Sequence, residues 1–167
     1  MLQRLQDPQY SFISDTDKAF IAAFDQAIGA IGYTSNGEIG PGFCWGRAMV
    51  IYVKRGVKAK QVAARIYIRD DNIALRLFLN GIDRHRDYLE HAPDFIQAPF
   101  VGDQGTCQHC HNERDGTCRF RKTYTLHGRR IEKCNGLVFT YERPVLDQLP
   151  DYMALLREFY GSKKQMG

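Results

Sequence analysis

The sequence predicts an α+β fold: an antiparallel sheet of about six strands, in two hairpin or meander sets, covered by an N-terminal and a C-terminal helix. Three observations carry that expectation. Apolar residues recur at steps of three and four over 15–31. The period then falls to two in successive runs up to residue 80. A four-cysteine segment precedes a second period-two stretch, and a helical pattern closes the chain. Together they predict a single domain, residues 1–167, with residues 102–142 as a zinc-stapled hairpin module inside it.

In "DTDKAFIAAFDQAIGAI" (15–31), Ala19, Phe20, Ala23, Phe24, Ala27, Ile28 and Ile31 share one helical face. Ser14 or Asp15 can cap its start and Gly32 can end it. The turn-rich "YTSNGEIGPG" (33–42) predicts a loop. A β-rich run, "FCWGRAMVIYVK" (43–54), is apolar on both sides. "QVAARIYIRD" (61–70) sets Val62, Ala64, Ile66 and Ile68 against Arg65, Tyr67 and Arg69. "NIALRLFLN" (72–80) sets Ile73, Leu75, Leu77 and Leu79 against Ala74, Arg76 and Phe78. Asp71-Asn72 between them predicts a hairpin, and the helix at 15–31 is the expected cover for its apolar face.

"DRHRDYLEH" (83–91) predicts a short helix, and 92–97 a further helical turn or an irregular connection. Beyond the cysteine segment, strands are expected at 119–126, 129–134 and 137–142, separated by His-Gly and Asn-Gly turns. The closing helix, 147–160, turns Leu149, Tyr152, Met153, Leu156 and Phe159 inward.

The cysteine segment is the chemically distinctive stretch. Cys107 and Cys110 form a C-x2-C pair, Cys118 follows after seven residues, and Cys134 after fifteen more. Four thiolates make the closed tetrahedral shell that structural zinc takes, and a hairpin over 119–134 would return Cys134 to the first three. Other readings share these residues. Cys107-Gln108-His109-Cys110-His111 spells the C-x-x-C-H of haem attachment, but it leaves Cys118 and Cys134 unexplained. The spacing fits neither common ferredoxin pattern, and the C-x-x-C has no βαβ unit around it for thioredoxin-like redox work. Unliganded thiols are the plainest alternative. His111-Asn112-Glu113 makes an H-x-E, but it follows the C-x-x-C rather than preceding it, the reverse of the deaminase order. A closed zinc shell also leaves no open position for catalysis.

Two surfaces are candidates for binding. Around the cysteines lie Arg119, Arg121, Arg129 and Arg130, with Arg114, Lys122, Lys133, Phe120 and Tyr124 among them. Such a basic hairpin face could grip phosphates while its aromatics stack bases. The other is the polar side of the first hairpin, Arg65, Tyr67, Arg69 and Arg76 with Phe78, which suits a small anionic ligand or simply faces water. Cys44 has no neighbouring base that would make it a nucleophile.

A net charge of +4 is compatible with a nucleic-acid or anionic partner but far below that of a DNA-coating protein. No apolar run approaches the roughly 18 residues that span a bilayer, and the first residues have no apolar signal core. An odd count of five cysteines argues against a disulfide framework. The expectation is a cytoplasmic, non-enzymatic zinc-binding or regulatory protein with no membrane partner, with a small-molecule binder or enzyme as the alternative.

Overall fold

The computed structural model describes residues 2–110, 118–134 and 138–161. The chain divides into two compact units, one of Met1–Phe78 with Tyr141–Gly167 and the other of Leu79–Thr140.

In the first unit, helix α1 (Asp15–Gly29) begins at Ser14, whose hydroxyl accepts the Asp17 N–H at 3.1 Å. Asp15 and Asp17 add negative charge to the positive end of the helix. The α-helix stops two residues before the apolar pattern does. Ala30, Ile31 and Gly32 donate instead to carbonyls three residues back, at 3.1–3.2 Å, and Gly32 then takes a φ of 91°. That tightening ends the helix in the way a left-handed glycine permits.

Strands β1 (Tyr33–Thr34) and β2 (Gly40–Pro41) both pair antiparallel with β3 (Ala48–Lys54), so the expected loop at 33–42 carries two short edge segments. Strand β3 starts at Ala48 rather than at residue 43. Phe43–Trp45 forms a 3-10 turn between two glycines that have no room for a side chain. A Cβ on Gly42 would sit 2.2 Å from the Gly46 carbonyl oxygen, and one on Gly46 2.6 Å from that of Ile68.

Strands β4 (Val62–Ile68) and β5 (Ile73–Leu77) form the expected hairpin, with Ile68 opposite Ile73 and Arg65 opposite Arg76. Strand β8 (Thr140–Glu142) lies beside β5, so the strand expected at 137–142 extends this sheet instead of the second hairpin. Among the described residues the sheet has six strands, ordered β1-β3-β4-β5-β8 with β2 also on β3.

The predicted greasy face is the core. Val50, Tyr52, Ala64, Ile66, Ile68, Ile73, Leu75 and Leu77 are all 0% exposed. Phe24 of α1 meets the Tyr52 ring edge-on at 5.2 Å. Tyr152 of α4 (Leu149–Tyr160) meets Phe20 at 6.2 Å and Tyr141 at 5.0 Å. Both helices thus lie on the same face, and each large apolar side chain buried there contributes roughly 1.5–3 kcal/mol.

In the second unit, a 3-10 turn (Ile82–His85) runs into α2 (Arg86–His91), followed by α3 (Asp94–Val101). Strands β6 (Arg121–Leu126) and β7 (Arg129–Cys134) pair in register from Arg121↔Cys134 to Leu126↔Arg129. His127 and Gly128 join them with φ of 49° and 72°, the positive pair that a tight I′ hairpin turn requires. Tyr124, Leu126 and Ile131 face a core with Phe100 and Phe139, whose rings stack at 4.2 Å. The Tyr124 hydroxyl donates to the Phe100 carbonyl at 2.5 Å. Among the described residues no helix is long and apolar enough to cross a membrane.

Candidate metal centre and basic hairpin

The approach to the cysteines starts at the end of α3. Its last carbonyls have no partner within the helix; one cation reaches the last of them and a second holds the carbonyls just beyond. Arg129 donates to the Val101 carbonyl at 2.7 Å. Lys133, only 1% exposed, donates to the carbonyls of Gly102 and, at 2.6 Å, Gln104. Burial pulls the Lys133 pKa down from the usual lysine range, and nearby Asp103 works against that. Lys133 therefore belongs to the interior and not to the basic surface. It stands two residues from Ile131 on one strand, hence on the same face.

The chain then runs along β7. Thr106 bridges to Lys133, the Cys134 N–H donates to Gly105 at 2.6 Å, and the Cys107 N–H donates to Glu132 at 3.0 Å. Across the hairpin Arg121 lies opposite Cys134, and its N–H donates to the Cys118 carbonyl at 3.0 Å. Backbone pairing thus gathers Cys107, Cys118 and Cys134 at the end of the hairpin away from its turn.

The Cys107 sulfur accepts from Arg121 Nε at 3.3 Å and from the His109 N–H at 3.4 Å. The His109 ring lies 2.7 Å from a Glu132 carboxylate oxygen. That hydrogen bond to Cys107 raises the Arg121 pKa, with further help from the charges of Cys107, Glu132 and Cys118. Cys110 is exposed, as is Cys44 in the first unit. Among the described residues no three His, Cys, Asp or Glu side chains form a group that could hold a metal ion. His111, Glu113 and Arg114 lie outside the described residues. Thiols are donors of the kind that zinc takes, and the Cys107 sulfur has the backbone N–H of His109 and the Arg121 guanidinium in hydrogen-bonding reach.

The four arginines expected on one basic face do not share it. Arg121, Thr123 and Thr125 stand opposite Cys134, Glu132 and Arg130 on the outer side of the hairpin. Arg129 pairs with Leu126 on the other side, because neighbouring residues of a strand point to opposite faces. Arg130 is 72% exposed and lies 3.3 Å from Glu132. Arg119 precedes the strand, its guanidinium 4.7 Å above the exposed ring of Phe120. The sequence reading left out Arg84. With Asp83, Lys122 and Thr123 it lines a cleft of about 240 Å³ between the Ile82–His85 turn and β6.

The polar side of the first hairpin is also not the open face its alternation suggests. Tyr67 is 0% and Arg76 6% exposed. Trp45, turned back by the Gly42–Gly46 constriction, stacks on Tyr67 at 5.3 Å and 13°. Met49, Ile51 and Ala74 pack around the pair. Arg69 donates to the Trp45 carbonyl at 3.3 Å and to Glu142 at 2.5 Å, so it serves as an internal tie. Arg76 donates to the Tyr67 hydroxyl at 3.3 Å. The sequence signal for this second cluster was a lone tryptophan held between two glycines just before a strand.

Compared with models of known families, with curated proteins and with solved structures, the chain matches none.

Proposed function

We propose that the chain is a non-enzymatic, zinc-stabilised binding or regulatory protein of the cytoplasm, whose hairpin β6–β7 contacts nucleic acid. The observation that carries the zinc reading is the backbone pairing that gathers Cys107, Cys118 and Cys134 at one hairpin end. Cys110, three residues beyond Cys107, completes the set of four ligands. Zinc supplies stabilisation there that a short polar segment cannot obtain by burying apolar surface. A reducing compartment suits an odd count of five cysteines, four of them held as zinc ligands.

Contact with nucleic acid falls to the side chains left at the surface. Arg119 over the exposed Phe120 offers a stacking platform for an unpaired base, and Arg130 offers a cation for the backbone. Arg84 and Lys122, at the neighbouring cleft, add positive charge. Glu132 beside Arg130 limits the strength of the field. A few phosphate contacts of this kind predict weak binding with a shallow salt slope.

Fluorescence anisotropy with single-stranded and duplex oligonucleotides across a salt series tests the proposal. The expected result is a preference for single strands and weaker binding as salt rises. The double variant Arg119→Glu, Arg130→Glu should weaken binding at least tenfold with no change in melting temperature. Binding by that variant at wild-type strength sinks the nucleic-acid reading.

A further inference from the structure

Beyond the hairpin, the sheet of the first unit carries an arrangement with a chemistry of its own. Arg65 and Arg76 face one another across β4 and β5, so their side chains leave the same side of the sheet. Like charges in directly opposed positions repel. Both guanidiniums nevertheless gather over one ring: Arg65 lies 5.1 Å and Arg76 4.5 Å from the centre of Phe78. Arg76 is 94% buried, since only 6% of it is exposed, and it also approaches the Trp45 ring at 6.0 Å. The Nε of Arg65 is buried with no hydrogen-bond partner, although Arg65 itself is partly open to solvent. A buried donor left unmatched is rare, and it marks a place where an acceptor belongs. Arg69 plays no part, since Glu142 and the Trp45 carbonyl hold it.

We propose that Arg65 and Arg76 form a two-arginine clamp for a phosphate group. A phosphate or phosphate monoester is strongly anionic at neutral pH and supplies the acceptor that the unmatched Arg65 Nε lacks. Its several acceptor oxygens suit the flat forks of two guanidiniums. Phe78, Trp45 and Tyr67 hold the arginines from the sides, and the burial of Arg76 strengthens the attraction there. The aromatic ring of Phe78, itself only half-buried, is placed to touch an organic group attached to the phosphate. This site goes beyond the zinc and nucleic-acid reading and depends on neither, because its residues all belong to the first unit.

Trp45 is the chain's one tryptophan, so its emission reports on the clamp directly. The full-length chain, in phosphate-free buffer, is titrated with inorganic phosphate, with phenyl phosphate, and with sodium chloride at matched ionic strength. Saturable one-site changes with both phosphates and none with chloride are expected. Tighter binding of phenyl phosphate would identify an organic phosphomonoester as the ligand class; equal binding would identify free phosphate. Arg65→Gln should weaken both at least tenfold and abolish the rise in melting temperature that phosphate gives the wild type. Arg65→Lys, which keeps the charge and loses the fork, should fall between, and it decides the matter should Arg65→Gln fail to fold. A response that does not saturate, that chloride reproduces, or that survives unchanged in either variant overturns the clamp.

Discussion

Lys133 of β7 donates its buried ammonium to the carbonyl of Gly102, the first residue past α3. One side chain thereby fixes the end of a helix to the strand that carries Cys134. The same lysine also holds Gln104, so the approach to Cys107 is set by a cation inside the second unit. Lys133→Met keeps the chain length and removes the donor, leaving two carbonyls short of a partner. The expected cost is about 1–3 kcal/mol, read as a fall of several degrees in melting temperature. A variant that melts at the wild-type temperature would show that the ammonium contributes only what its burial costs.

Zinc binding is tested through the ligands one at a time. The purified chain should contain one zinc, and Cys110→Ser or Cys134→Ser should lose most of it and lower the melting temperature. Cys44→Ser, in the other unit, should retain it. A strong chelator should destabilise the wild type and leave the two ligand variants unaffected. Full zinc content in Cys134→Ser excludes that residue from the shell. Iron with visible absorption would replace zinc by an iron–sulfur centre or haem.

Asp83 supplies a pH dependence. Its carboxylate accepts the Thr125 N–H at 2.9 Å and Arg86 Nη2 at 2.8 Å, and these hold its pKa below the ordinary 3.8. With the folded value below the unfolded one, the contribution is complete above pH 3.8 and disappears as pH falls through the folded value. The side chain is 53% exposed, so solvent screening leaves about 0.5–1 kcal/mol. Asp83→Asn should therefore melt lower than wild type at pH 7, and the gap should narrow as pH is lowered towards 2. A gap of equal size at both pH values would contradict the assignment.

Gly46→Ala tests the turn that carries Trp45. The new methyl would meet the Ile68 carbonyl oxygen at 2.6 Å, a backbone atom that moves only with β4. A loss of about 2 kcal/mol or more is expected. Trp45 emission should shift to the red as the ring leaves Tyr67. Wild-type stability and emission together would mean that the turn adjusts without disturbing the stack.

Much of this architecture was legible in the residues. The apolar spacing of Phe20, Phe24 and Ile28 announced α1, and the alternation of Ile66, Ile68, Ile73 and Leu75 announced the sheet and its covered face. His127-Gly128 marked the second hairpin at its true position. Local rules suffice for these because the helix repeats every 3.6 residues, the strand every two, and a tight turn needs left-handed backbone.

What the pattern could not convey was where each polar side chain would end. Lys133 and Arg76 stand at positions a sequence assigns to water, yet both are buried. Arg129 and Arg130 are neighbours in the chain and face opposite ways. The strand at Thr140–Glu142 continues the first sheet, although its sequence neighbours form the second hairpin. The sequence by itself determined the elements, their amphipathic faces and the cysteine spacing, all set by short-range periodicity and local backbone sterics. Only the tertiary structure decided which cation caps α3, which arginines oppose each other across β4 and β5, and which strand fills the sheet edge. Those outcomes depend on hydrogen-bond partners and burial contributed by residues distant in the chain, which no local pattern encodes.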